Sequence, residues 1–292
     1  MKSLKQLPTI ANVAAANTVS IMLPVGNTYE TIHVYYEGVT AAQLKNIKLE
    51  ANSRLISEWP DGERLMSMDA HYSRATASGV LIFNFNRPEL HKLGDSRFFG
   101  FDTNRSQGIT TANISIDIAA DAAAPKLKAY AQTVQSVAGV PNFLTKVRRM
   151  FKNVSAAGTF EIDNITPVVG ASIAAIHLYM PDDGDADALC QITKAELLVD
   201  NTNWHDIDAV GASNFQVLNG RDPQIADSTV IDLILDGDVK HALPLSYKTG
   251  REIRGVAEEL PIQDLRLRCE AASAGQIEIM IEYIDVWGAG RF

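Results

Sequence analysis

The chain has 292 residues, 46% of them apolar, and a formal net charge of −9. That length allows one large domain or two ordinary ones and buries roughly 75% of the unfolded surface, so no disulfide is needed to hold a core. The acidic balance excludes wholesale binding to nucleic-acid phosphates. Nowhere do eighteen apolar residues occur together, and the charged start Met1-Lys-Ser-Leu-Lys-Gln-Leu7 has no apolar run behind it, which predicts folding in the cytoplasm without a membrane span.

Asn17–Pro24 reads as a first strand, ended by Pro24 and the turn Gly26-Asn27, and Thr28–Glu37 as a second, stopped by Gly38. Thr40–Asn46 suggests one helical turn leading into a strand at Ile47–Glu50. Residues 57–78 are polar and irregular, with Pro60-Asp-Gly62 marking a turn. Gly79–Asn86 is a strongly strand-like run, 89–107 a loop rich in Phe, Gly and Asp, and Ile109–Ile118 a strand that closes the first half. Phe98, Phe99 and Phe101 in that loop fit either an interface or the end of their own domain.

Pro125 opens a segment whose apolar residues Leu127, Tyr130, Ala131 and Val134 suit a helix. A second amphipathic piece follows, apolar at Phe143, Leu144, Val147, Met150 and Phe151 and basic at Lys146, Arg148, Arg149 and Lys152. These two predict a helical bridge over 125–152 between two β halves. Strands then recur at Thr159–Ile162, Ala171–Tyr179, Leu189–Val199 and Thr229–Leu235.

The chain closes on Asp264–Cys269 and Gln276–Trp287, both alternating, which predicts an antiparallel pair joined through Glu270–Gly275. Ile277, Ile279, Ile281 and Tyr283 take one face; Glu278 and Glu282 the other, expected to meet water or a polar partner. The same pattern stands about half a chain earlier at Asn113–Ile118 with Ala119–Ala124, and Ile47–Ile56 is loosely echoed in Ala195–Trp204. A duplicated β domain and the shared composition of short strands both account for this. Short strands, few helices and regular turns predict an all-β sandwich in each half.

Enzyme signatures are missing: there is no nucleophile elbow, phosphate loop or paired-histidine zinc motif. The six histidines lack ligand spacing; His33 and His177 lie in strands, and His205-Asp206 lacks a nucleophile. Cys190 and Cys269 read as buried thiols. Asp183, Asp185 and Asp187 stand two apart in an acidic loop, which suits either a solvated tip or an irregular calcium site; Ala188 and Lys194 depart from the helix–loop–helix calcium pattern. Lys146, Arg148, Arg149 and Lys152 suit the solvated face of a bridge, or contact with anionic lipid or an acidic partner.

Several blocks together resemble the major capsid protein of corticoviruses: Pro8–Glu30, Ala124–Lys128, Val147–Lys152, Val169–Leu178, Ile262–Leu267, Glu278–Trp287 and the ending Gly290-Arg-Phe292. They occur in order from end to end. Divergence is greatest at 57–107 and 181–226.

The resemblance implies a double jelly roll, with 1–160 as the N-terminal barrel (bridge included) and 161–292 as the C-terminal barrel. It further implies a non-enzymatic homotrimer forming pseudo-hexagonal capsomers of a tailless icosahedral phage. The implied partners are neighbouring capsomers, a penton protein, and the internal virion membrane or its proteins, without sequence-specific nucleic acid. The alternative is a receptor- or glycan-binding β-sandwich of a phage spike.

Overall fold

The computed structural model describes residues 2–92, 99–136, 142–181, 189–253 and 256–287. Two compact units divide the chain after Val147, and Val286 and Trp287 belong to the first.

In the N-terminal unit the strands are Lys2–Gln6 (β1), Thr18–Met22 (β2), Asn27–Glu37 (β3), Leu44–Ala51 (β4), Arg54–Asp61 (β5), Val80–Asn84 (β6), Phe101–Asp102 (β7), Ala112–Ile118 (β8) and Lys126–Gln135 (β9). They form one sheet in the order β1-β9-β3-β6, with β7 added to β3, and a second in the order β2-β8-β4-β5. Alternation explains the core: Val19, Ile21, Ile32, Val34, Ile114 and Ile116 are buried while their neighbours in sequence face outward.

The C-terminal unit is built from Phe143–Val154 (β10, which starts in the first unit), Gly158–Ile162 (β11), Ser172–Tyr179 (β12), Ile192–Val199 (β13), Thr202–Asp208 (β14), Ser228–Asp232 (β15), Leu243–Pro244 (β16), Ser246–Ile253 (β17), Val256–Pro261 (β18), Leu265–Ala271 (β19) and Gly275–Val286 (β20). Its sheets run β10-β20-β12-β15, with β16 added to β12, and β11-β19-β13-β14; β17 and β18 form a separate hairpin. One cluster containing Ile173, Ile176, Leu197, Leu267, Ile277, Ile279 and Ile281 fills the space inside.

If β7 and β16–β18 are set aside, each unit has eight strands. Their sheet order is first-eighth-third-sixth and second-seventh-fourth-fifth in both units, the arrangement of a jelly roll. Each also carries a helix after its fifth strand: Gly62–His71 (α1) and Ala209–Leu218 (α2). Asp61 and Asp208 cap them, their carboxylates accepting from the amides of Arg64 and Gly211 at 2.9 and 2.7 Å.

The likeness extends to the hairpin that joins the fourth and fifth strands. Asn52-Ser53 and Asp200-Asn201 both take left-handed backbone angles, φ 49° and 61° in one turn and 46° and 65° in the other, the type I′ geometry that suits strand twist. Both ladders slip once near the turn, at Leu49/Glu50 and at Leu197/Leu198. Both turns then clamp the entry to the seventh strand. Asn52 Oδ1 accepts from the amides of Thr110 and Thr111 at 2.8 and 3.1 Å, and Asp200 Oδ1 from those of Gln263 and Asp264 at 2.9 Å each.

Four expectations are corrected. The helical bridge over 125–152 is absent; its residues lie in β9 and β10, apart from Pro125, Ser136, Asn142 and 137–141, of which 137–141 fall outside the described residues. In β9, Leu127, Ala129, Ala131 and Thr133 are buried while Lys126, Lys128 and Tyr130 are exposed, a period of two that burial against β3 enforces. The irregular region after residue 57 holds β5 and α1. Pro60 belongs to β5, an edge strand where its missing amide costs no ladder bond. The closing strands β19 and β20 do not pair; the chain crosses from one sheet to the other between them. Finally, of the two surroundings expected for Glu278 and Glu282, water is excluded, at 9% and 3% exposure, and the polar partner is found within the chain, in Arg149 and His177.

Candidate interaction surfaces

The basic run lies on a strand, so alternation splits its four cations three to one between the two faces. Lys146, Arg148 and Lys152 share one side by this alternation and Arg149 takes the other. Lys146 is buried at 6% exposure, and Arg148 and Lys152 are half-buried. Arg149 Nε forms a short ion pair with Glu278, and its guanidinium stands 4.5 Å over the Phe151 ring. Asp183, Asp185 and Asp187 lie outside the described residues, as does Phe98. Phe99 and Phe101 are buried within the N-terminal unit, Phe101 against Tyr29 and Phe85 and Phe99 against Phe143.

Three of the six histidines, His33, His177 and His205, lie in strands. His177 Nε2 bonds Glu282 Oε1 at 2.9 Å and its ring stacks on Tyr179. His33 bonds the Thr31 hydroxyl at 3.2 Å, and burial lowers its pKa. His205 and Asp206 do not form a base–orienter pair: Asp206 is taken by Lys194 at 2.7 Å. Burial lowers the His205 pKa against the pull of that carboxylate. Among the described residues no three His, Cys, Asp or Glu side chains converge as a metal-ligand set.

Two apolar surfaces were not anticipated from the sequence. On the outer face of the β1-β9-β3-β6 sheet, Leu4, Tyr35 and Tyr130 are exposed, and the two tyrosine rings meet edge to face at 5.6 Å. On α2, Val210, Phe215, Val217 and Leu218 are exposed and only Ala212 and Gln216 are buried. A groove of about 380 Å³ beside α2 is lined in part by Val210, Ser213, Pro223 and Ile225. Period-two and helical patterning mark such residues as core candidates; exposure depends on what the rest of the chain covers.

The two halves match separate family models. Residues 4–134 match the viral coat protein P2 N-terminal domain, and 144–287 the viral coat protein P2 C-terminal domain. Over its whole length the chain is 36% identical to major capsid protein P2 of Pseudoalteromonas phage PM2, with 100% of both chains covered. The chain belongs to the viral coat protein P2 family.

The crystal structure of P2 from bacteriophage PM2 superposes at a TM-score of 0.86, 34% identity and full coverage of both chains. The STIV MCP shares the fold at TM-score 0.68 and 13% identity, covering 98% of this chain and 97% of the other. The PBCV-1 virus capsid does so at 0.60 and 10%, covering 98% and 94%. The double jelly roll is thus the fold of this P2-family chain, and its role is that of a structural capsid protein located in the virion shell. A spike module is set aside because the full-length relative is a major capsid protein.

Proposed function

We propose that the chain is the subunit of a homotrimeric capsomer with pseudo-hexagonal outline. Capsomers of this kind tile an icosahedral phage shell over an internal membrane, and a penton protein fills the vertices. The observation that supports the trimer is the repeated strand order: two eight-strand units with the same sheet sequence, the same capped helix and the same clamped hairpin. A hexagonal tile needs six like sides. A chain that carries two of them supplies six in three copies, and cyclic symmetry closes the set.

Sedimentation equilibrium of the purified full chain at micromolar concentration tests this. The expected mass is three times 31.8 kDa, with six-lobed outlines in negative-stain images. A mass of one chain at every concentration, with small isolated lobes, would overturn it.

A further inference from the structure

We infer that copies of this chain join head to tail, the outer face of the β1-β9-β3-β6 sheet on one copy receiving the α2 surface of the next. The inference rests on the capsomer reading and adds to it the surfaces that would hold the trimer together.

The sheet face carries a preformed aromatic site. Leu4 is 82% exposed, Tyr35 49% and Tyr130 38%, and Lys128 stands directly opposite Tyr35 in the ladder. Rigid aromatic pairs beside a cation are the kind of anchor that interfaces use, because little side-chain entropy is left to lose. The corresponding sheet of the C-terminal unit, β10-β20-β12-β15, has its outer face buried: His177, Tyr179, Glu278 and Glu282 are all 9% exposed or less. This face of the fold is therefore one that takes cover in one unit and stands open in the other.

The helix supplies the complement. No residue of α2 is charged, and Phe215 and Leu218 are 57% and 82% exposed. The topologically equivalent α1 buries Leu65 and Met68 and carries Glu63 and Arg64 outside its core face, so the fold position does not itself demand an apolar exterior. Carboxylates flank α2: Asp208 caps it, and Asp222 and Asp227 follow, both exposed and without an ion pair among the described residues. The sheet face is rimmed by Lys2, Lys126 and Lys128; Lys2 and Lys126 pair with Glu30 and Glu37 at 2.8 and 3.5 Å, which leaves Lys128 as the cation of this rim that a partner's carboxylate can take.

An apolar helix edged with carboxylates thus suits an apolar sheet edged by Lys128, whereas a helix-to-helix contact would set like charges together. Two different patches on one chain make a heterologous contact, which closes into a ring when the rotation fits.

Two full-length variants test this by sedimentation velocity. One is K128E/Y130E on the sheet and the other F215S/L218E on the helix, with near-ultraviolet circular dichroism confirming the fold. If either misfolds, K128E and L218S replace them. Each variant alone is expected as monomer where the wild type is a trimer, with dissociation at least 100-fold easier. An equimolar mixture is expected to give a heterodimer and nothing larger, because only one intact pair of patches survives.

Wild-type mass in either variant, or no heterodimer in the mixture, overturns the placement while leaving the capsomer standing. A wild type that is monomeric throughout overturns the capsomer reading itself.

Discussion

Asp232→Asn isolates a buried ion pair that ties the segment after α2 to β15. Asp232 Oδ2 accepts from Arg221 Nε at 2.7 Å, and its Oδ1 accepts from the Ile234 amide at 3.0 Å. Arg221 Nη2 in turn donates to the Ile234 carbonyl at 2.8 Å. The side chains are 3% and 0% exposed. Asparagine keeps the shape and the bond from Ile234 but leaves a buried guanidinium without its carboxylate.

Breaking one side of such a pair costs ~3–5 kcal/mol, and the retained bond puts the expected loss near the lower end, about 3 kcal/mol. For a unit of this size that lowers the melting temperature by roughly 10 °C. Differential scanning calorimetry should show the C-terminal transition falling by that amount while the N-terminal one stays in place. The double variant R221M/D232L removes both charges but leaves the buried Ile234 amide without its acceptor, so it is expected to lose about 1–3 kcal/mol, no more than the single variant. A single variant that loses under about 1 kcal/mol, or a double variant worse than the single, would refute the reasoning.

Gly38→Ala should destabilise the N-terminal unit by more than ~2 kcal/mol. Its φ is +70° and a Cβ there would stand 2.1 Å from the Ala124 carbonyl oxygen; urea denaturation measures the loss. Glu89 provides a pH test. Burial raises its pKa, but Arg74 and Arg87, bonded to it at 2.7 and 2.8 Å, outweigh burial and hold the carboxyl below its usual range. Its stabilisation is therefore complete above pH ~4.3 and lost as pH falls through the lower native value; Glu89→Gln should lower stability at pH 7 and flatten the acid limb of an unfolding titration. Both cysteines are buried, and burial pushes the Cys269 thiol up to about 12. A thiol reagent at pH 8 should label neither in the native protein and both after denaturation.

Most strands were legible because alternation survives wherever one face of a sheet is buried, as in Ala112–Ile118 and Leu265–Ala271. Both internal echoes fall on equivalent elements: the seventh strands β8 and β19, and the hairpins β4–β5 and β13–β14. Lys126–Gln135 was misread because Leu127, Tyr130, Ala131 and Val134 satisfy a helical period while the full set satisfies a period of two. Pairing with β1 and β3 decides between them, and pairing is not a local property.

The helix α1 was hidden by Pro60-Asp-Gly62, which reads as a turn but places a capping aspartate at the helix start. The crossing between β19 and β20 was invisible because a hairpin and a sheet change need the same short linker. Which surfaces stand open was equally out of reach, since Leu4, Phe215 and Leu218 differ from core residues only in what the folded chain leaves uncovered.

The two clamped hairpins agree down to the slipped register and the pair of left-handed residues, while the helices beside them have diverged from charged to apolar. Joining two such units in one polypeptide releases each from having to serve every position around a ring. One helix can then be greasy without imposing the same surface on its counterpart, so a ring closed from three such chains would have a direction.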